Sequence, residues 1–480
     1  MRQLRVMIAV AAVCAAAAAM PAAAGTGAWA PRAAGAARPA PLSQRALAGA
    51  VRISPDWRHA AHVITGAPPT TALCEQKFQI ACYQPAQLQQ AYGLPPLLRA
   101  GVTGRGQTIV IVDSFGSPTI AHDLAVFDRA FHLPAPPSLS VIQPAGRVPP
   151  YRPTATREGW AGETTLDVEW AHVMAPGASI LLVETPTSEN EGTTGFPDIV
   201  RAEKYVIAHH LGGVISQSFS ATEQTFPGRQ AVLALRGAYL AAARAGVTVL
   251  AASGDSGAAD LQSNGSSYYL QPVTSWPDSD PLVTGVGGTQ LTLGPDGTRT
   301  APDQVWNDSY NRATNQFIFG DSGPNALAGG GGRSVLFGRP GYQDGVRAVA
   351  GSQRGVPDIS MNAACNGAVD MYQSFPGQTA GWYPTCGTSE ATPLFAGMVA
   401  LAGQVAGHPL GVLNPRLYAM AAQRNPGIVD ITLGNNTVSF TQGGLQTVTG
   451  FAAAPGYDLA SGLGTVDAPA FVAALAGGRR

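Results

Sequence analysis

Four short apolar runs, each ending at a polar residue, limit what this chain can fold into. They are TIVIVD (108–113), ASILLVE (178–184), GGVISQSFS (212–220) and GVTVLAAS (246–253). Helical patterns lie between them at 163–174, 196–210 and 230–245. A strand buried on both faces reads as a continuous apolar run. Amphipathic segments between such strands are the crossovers of a parallel sheet. The expected class is therefore α/β, with a mostly parallel central sheet flanked by helices. The chain shows no internal repeat, and no linker splits the part that follows residue 83.

The first residues read as an export signal. Arg2 and Arg5 precede an apolar run from Met7 to Met20, and Ala22-Ala23-Ala24 stands before Gly25. The run is short and Ala-rich, and no other is long enough to span a bilayer. A secreted, extracellular protein with no membrane anchor is expected. Loss of residues 1–24 removes two arginines and no acid, moving the net charge from −1 to near −3. That is not the clustered basic excess of a nucleic-acid binder. Residues 25–75, rich in Ala, Pro and Arg, read as an irregular leader or short pro-segment, with the main domain at 76–480. Cys14 leaves with the signal. Cys74, Cys82, Cys365 and Cys386 remain, and nearness in sequence favours Cys74–Cys82 and Cys365–Cys386 among three possible pairings. A zinc site would need closer cysteine spacing. Gly329–Gly332 lacks the Lys-Ser/Thr of a phosphate loop.

The chemistry gathers in a few motifs. TCGTSEATPLFAGMVALAGQVAG (385–407) sets Ser389 after a glycine, at the mouth of a helix whose buried stripe is Leu394, Phe395, Met398, Val399 and Val405. Pro393 is expected in its first turn, where a missing N–H does least harm. Ser389 is either a helix cap or a nucleophile favoured by the helix N-terminus. GWAGETTLDVEWAHVMAPGA (159–178) places Glu163 and Asp167 one helical turn apart, with Leu166, Trp170 and Val173 on the buried face. In a cleft the two acids would share a proton and could act as a base. On a surface they would be a solvated acidic face. Asp113 and Asp255 stand at strand ends, where sites gather in open α/β sheets. None of the eight histidines has the HGT context of a subtilisin-type triad, and His172 reads as an ordinary helix residue.

GTSEATP, GETTLDVEW and SGDSGAAD together resemble the sedolisins, serine-carboxyl peptidases with a subtilisin-like fold. YQPAQLQQAYGL (83–94), DPLVTGVGGTQL (280–291), GGGGRSVLFGRPGYQ (329–343) and RGVPDISMNA (354–363) extend the resemblance over about 83–468. It implies Ser389 as nucleophile, Glu163 as general base, Asp167 as its orienting partner and Asp255 as a protonated donor to the oxyanion. Asp113 falls where the family often has an acid near the glutamate. Ser216-Gln217-Ser218-Phe219 would line the cleft and pair with peptide backbone. GIVDITLGNN (427–436) and GFAAAPGYDLASGLGTVDA (450–468) resemble the family's calcium region. They imply one Ca²⁺ held by Asp430 and Asp458 with the carbonyls of Ile431, Ala454 and Gly456. The family more often has glycine at Ala454. The implied protein is a secreted monomeric endopeptidase acting on polypeptides at acidic pH. Sedolisins usually carry a long folded pro-domain, and residues 25–82 are too few for one.

Other readings fit less well. GDSGA would make Ser256 a chymotrypsin-type nucleophile, but the strand–helix alternation and the lack of a matching histidine oppose it. An esterase of the α/β-hydrolase type wants G-x-S-x-G, and Ser389 is followed by Ala391 at that place. A subtilisin-type Ser/His/Asp protease lacks its histidine motif. An inactive sedolisin-like binder of peptides or cell walls is opposed by suitable residues at all four catalytic positions.

Overall fold

A computed structural model describes residues 57–309 and 325–477, all inside one compact unit. The expected signal at 1–24 and the leader up to residue 56 lie outside the described residues. The centre is an eight-stranded sheet. Its strands are β1 (Thr108–Ser114), β2 (Leu139–Ile142), β3 (Ser179–Thr185), β4 (Val214–Gln217), β5 (Thr248–Ala252), β6 (Thr284–Gln290), β7 (Gln304–Val305) and β8 (Ile359–Asn362). The order is β7-β6-β5-β4-β1-β3-β2, with β8 beside β6. Every pairing is parallel except β6 with β7.

The period-2 alternation of a strand feeds two cores. Ile109 and Ile111 of β1 point into one, shared with α1 (Ala155–Met174) and with the last long helix of the fold. Val110 and Val112 point into the other, shared with α2 (Phe196–Ala208) and α3 (Gly237–Ala245). Because both faces are covered, the sequence runs show no polar alternation. The last long helix, α4 (Thr388–Ala406), packs on α1. At their closest approach stands Gly397, where a Cβ would overlap that of Met174.

Several expectations change in detail. α1 starts at Ala155 rather than Glu163, after Thr154, whose hydroxyl accepts the Arg157 N–H. Every residue of α1 from Trp160 to Met174 is buried, which excludes a solvated acidic face for Glu163 and Asp167. Leu394, Phe395, Met398 and Val399 are buried, but Val405 is 49% exposed and does not belong to the stripe. Pro393 lies in the second turn of α4, not the first.

β9 (Ala368–Gln373) and β10 (Gly381–Cys386) form an antiparallel pair that leads into α4. The short strand Arg58–His59 joins the free edge of β10. The boundary drawn after residue 75 falls inside a helix, Thr71–Phe78. Disulfides join Cys74 to Cys82 and Cys365 to Cys386. Among the described residues no helix is long and apolar enough to cross a membrane.

Candidate active site

Ser389 is the second residue of α4, fully buried behind Gly387. Gly387 has φ 135°, a conformation side chains disfavour, and this sharp entry turns the helix N-terminus toward the sheet. The Ser389 hydroxyl donates to the Ser218 carbonyl at 3.3 Å. Pro393 has no N–H, so the Ser389 carbonyl four residues earlier lacks its helical partner. The Ser218 hydroxyl lies 3.3 Å from that carbonyl oxygen and 2.8 Å from Asp167 Oδ1, so its single proton serves one or the other, the shorter contact being to Asp167. Residue 218 thus ties the end of β4 to both α4 and α1.

Glu163 and Asp167 project from α1 toward this junction with no exposure to solvent. Burial, then the neighbouring Asp167 and Asp113, raise the Glu163 pKa well above the usual carboxyl range, and the facing Ser389 hydroxyl lowers it. Neither Glu163 oxygen accepts a well-formed hydrogen bond, and catalytic contacts of this kind often tighten only when substrate binds. Burial and Asp113 likewise raise Asp167. Asp113, at the end of β1, is pushed up to about 7 by burial, with the Thr164 hydroxyl acting in the opposite direction.

Asp255 follows β5. Burial pushes its pKa up to about 7, opposed first by hydrogen bonds from Thr388. Its Oδ1 accepts the Thr388 N–H at 2.7 Å and the Thr388 hydroxyl at 2.8 Å. Its Oδ2 has no partner. A neutral Asp255 therefore carries its proton on Oδ2, the oxygen left free to donate. One carboxyl able to accept a proton, another able to donate one, and a hydroxyl between them suit acyl transfer.

The subtilase family profile matches residues 159–442, more than half of the chain. The chain belongs to the subtilase family. Its relatives place it among the sedolisins. It is 32% identical over 390 residues to kumamolisin of Bacillus sp. (strain MN-32), covering 80% of this chain and 62% of the relative. It is 30% identical over 308 residues to sedolisin of Pseudomonas sp. (strain 101), covering 64% and 48%. A solved structure of Pseudomonas sedolisin, complexed with two molecules of pseudo-iodotyrostatin, aligns with a TM-score of 0.66 at 24% identity. That alignment covers 82% of this chain and 98% of the other, and the shared fold is subtilisin-like. The chain spans less than two thirds of the length of these curated relatives.

Within this sedolisin, two positioning residues carry no sequence signal of their own. Thr388 aims Asp255, and Ser218 holds Asp167. Both stood inside motifs, but small hydroxyl residues do not announce their partners. His172 lies elsewhere: its Nε2 is 2.8 Å from the Pro134 carbonyl oxygen and 3.3 Å from Asp128. The Ser256 hydroxyl faces Tyr268.

In the expected calcium region, Asp458 accepts the N–H groups of Ala460 and Ser461 at 2.8 Å and of Ala454 at 3.1 Å. Asp430 accepts the Gly456 N–H at 2.8 Å. Both carboxylates thus hold the same turn. Gly456 has φ 85°, whereas Ala454 does not have positive φ, so alanine is tolerated there. Among the described residues no three His, Cys, Asp or Glu side chains gather, and a cation here would draw on carbonyls. An oxygen-only set of this kind fits Ca²⁺.

Proposed function

We propose that this sedolisin is a secreted serine-type endopeptidase that hydrolyses polypeptides below neutral pH. Ser389 attacks the scissile carbonyl and Glu163 takes its proton. Asp167 orients Glu163 and adjusts its basicity. Asp255, neutral, donates from Oδ2 to the developing oxyanion. Glu163 then returns the proton to the leaving amine, and water completes the cycle by the reverse path. The observation that carries this reading is Asp255 pinned through Oδ1 by the residue next to the nucleophile, with Oδ2 unbonded. A carboxyl in that role works only while protonated, which sets an acidic working range.

Asp430 and Asp458, with the carbonyls of Ile431, Ala454 and Gly456, would hold one Ca²⁺. The ion would brace the turn at 454–456, away from the reacting groups.

Ser389→Ala tests the assignment. The variant should keep its fold by circular dichroism and lose hydrolysis of a denatured protein by about 10⁶-fold, as for removal of a serine nucleophile. Cleavage at the parent's rate would refute it, and a parent without any peptidase activity would favour a binding protein.

A further inference from the structure

The chain's own N-terminal segment lies along the strand that leads to Ser389. Arg58 and His59 pair antiparallel with Cys386 and Thr385 of β10. The Ala60 N–H donates to the Pro384 carbonyl at 2.7 Å. β10 runs toward Ser389, which follows Cys386 by three residues. Antiparallel pairing therefore points the N-terminal end of the segment at the nucleophile. A fragment on the amine side of a cut peptide bond has this polarity, because its new amine is left beside the serine.

The side chains divide by strand alternation. Trp57 and His59 share one face, with ring centroids 4.7 Å apart, and His59 stacks on Tyr383 at 4.2 Å. The Trp57 ring covers Gly162, where any Cβ would overlap it. Its Nε1 donates to the Gly159 carbonyl at 2.9 Å. Gly162 immediately precedes Glu163, so a glycine-floored aromatic pocket adjoins the base. Arg58 points to the other face. There it reaches the Tyr268 hydroxyl and lies close enough to Asp255 to act on its charge. Asp260, half-buried and near enough to act on the Tyr268 hydroxyl, adds negative potential on that side.

We propose that Trp57–His59 occupies the amine-side half of the substrate groove as a tethered peptide, and that the pockets it fills select an aromatic residue followed by a basic one in substrates. The proposal rests on the peptidase reading of the site, and adds to it the identity of the residues recognised after the cut. A substrate has to displace the segment, so the groove's own ligand also sets the affinity a substrate must exceed.

The full chain is assayed with internally quenched peptides that differ only in the two residues after the cut: Trp-Arg, Trp-Glu, Ala-Arg and Ala-Ala. kcat/KM for Trp-Arg should exceed that for Trp-Glu by about tenfold, the worth of one charge-assisted contact. Tyr268→Phe should shrink that ratio. A binding arm is independent of turnover. In the Ser389→Ala chain carrying Arg58→Ala, fluorescein-labelled Trp-Arg-His-Ala should bind about tenfold tighter than labelled Trp-Glu-His-Ala by anisotropy. If no peptide is cut but this difference holds, the groove assignment stands and the peptidase reading falls. If peptides are cut but neither arm separates Arg from Glu, the groove assignment is overturned and the peptidase reading stands.

Discussion

Arg354 and Asp358 are as fully buried as Glu163 and Asp167, all at 0% exposure, yet the two pairs are built differently. The Arg354 guanidinium grips both Asp358 oxygens, with Nη1 2.7 Å from Oδ1. The Tyr418 hydroxyl and the Gly285 N–H, each at 2.9 Å, complete the shell around Asp358. Both oxygens of that carboxylate are matched by donors. Glu163 has no such partner, and its nearest charged neighbours are acids. Desolvation without a counter-ion makes the proton, not a cation, the neutralising partner. Paired burial yields a permanent structural charge, whereas unpaired burial yields a group poised to give or take a proton, which is what a catalytic acid or base needs.

Breaking each pair should give a different kind of damage. Glu163→Gln should lower kcat/KM by about 10⁴-fold, since an amide cannot accept the serine proton. The same variant should be at least as stable as the parent at pH 7 in urea unfolding, because a neutral amide replaces an acid that burial disfavours when ionised. Loss of stability with retained activity would reverse the two roles. Asp358→Ala should do the converse. It leaves a buried guanidinium without its partner and should cost about 3–5 kcal/mol of stability. The remaining folded fraction should keep its pH profile. A stability change under about 1 kcal/mol would mean that the matched shell around Asp358 contributes little.

The sheet and the helix that carries Ser389 were legible in the sequence because apolar runs and a preceding glycine leave strong patterns. β6 was not read as a strand, since TGVGGTQ contains three glycines. The structure explains two of them: side chains at Gly287 and Gly288 would overlap Pro357 and Trp306. The acids at 113, 163, 167 and 255 could be picked out by motif, but their burial could not. A helix with Glu and Asp one turn apart has the same pattern whether it faces water or a cleft. The strand at Arg58–His59 was hidden in a segment of leader-like composition, because its partner β10 lies more than three hundred residues away. Pairings that distant carry no local periodicity.

In the proposed mechanism acids, not an imidazole, handle the proton at Ser389, and the pH dependence of kcat/KM measures that directly. Asp255 and Asp113, both held near pKa 7 by burial, are neutral below that value and ionise above it. The oxyanion donor is then lost and negative charge accumulates around Glu163. Activity toward a fixed uncharged peptide should therefore fall as pH rises through about 7, with loss of the neutral donor. It should fall again on the acid side, where Glu163, its pKa raised by burial, is protonated and cannot take the serine proton. His172→Ala should leave both limbs unmoved. A rate that instead climbs through pH 7 to a plateau, and collapses in His172→Ala, would contradict the carboxyl mechanism and make histidine the base.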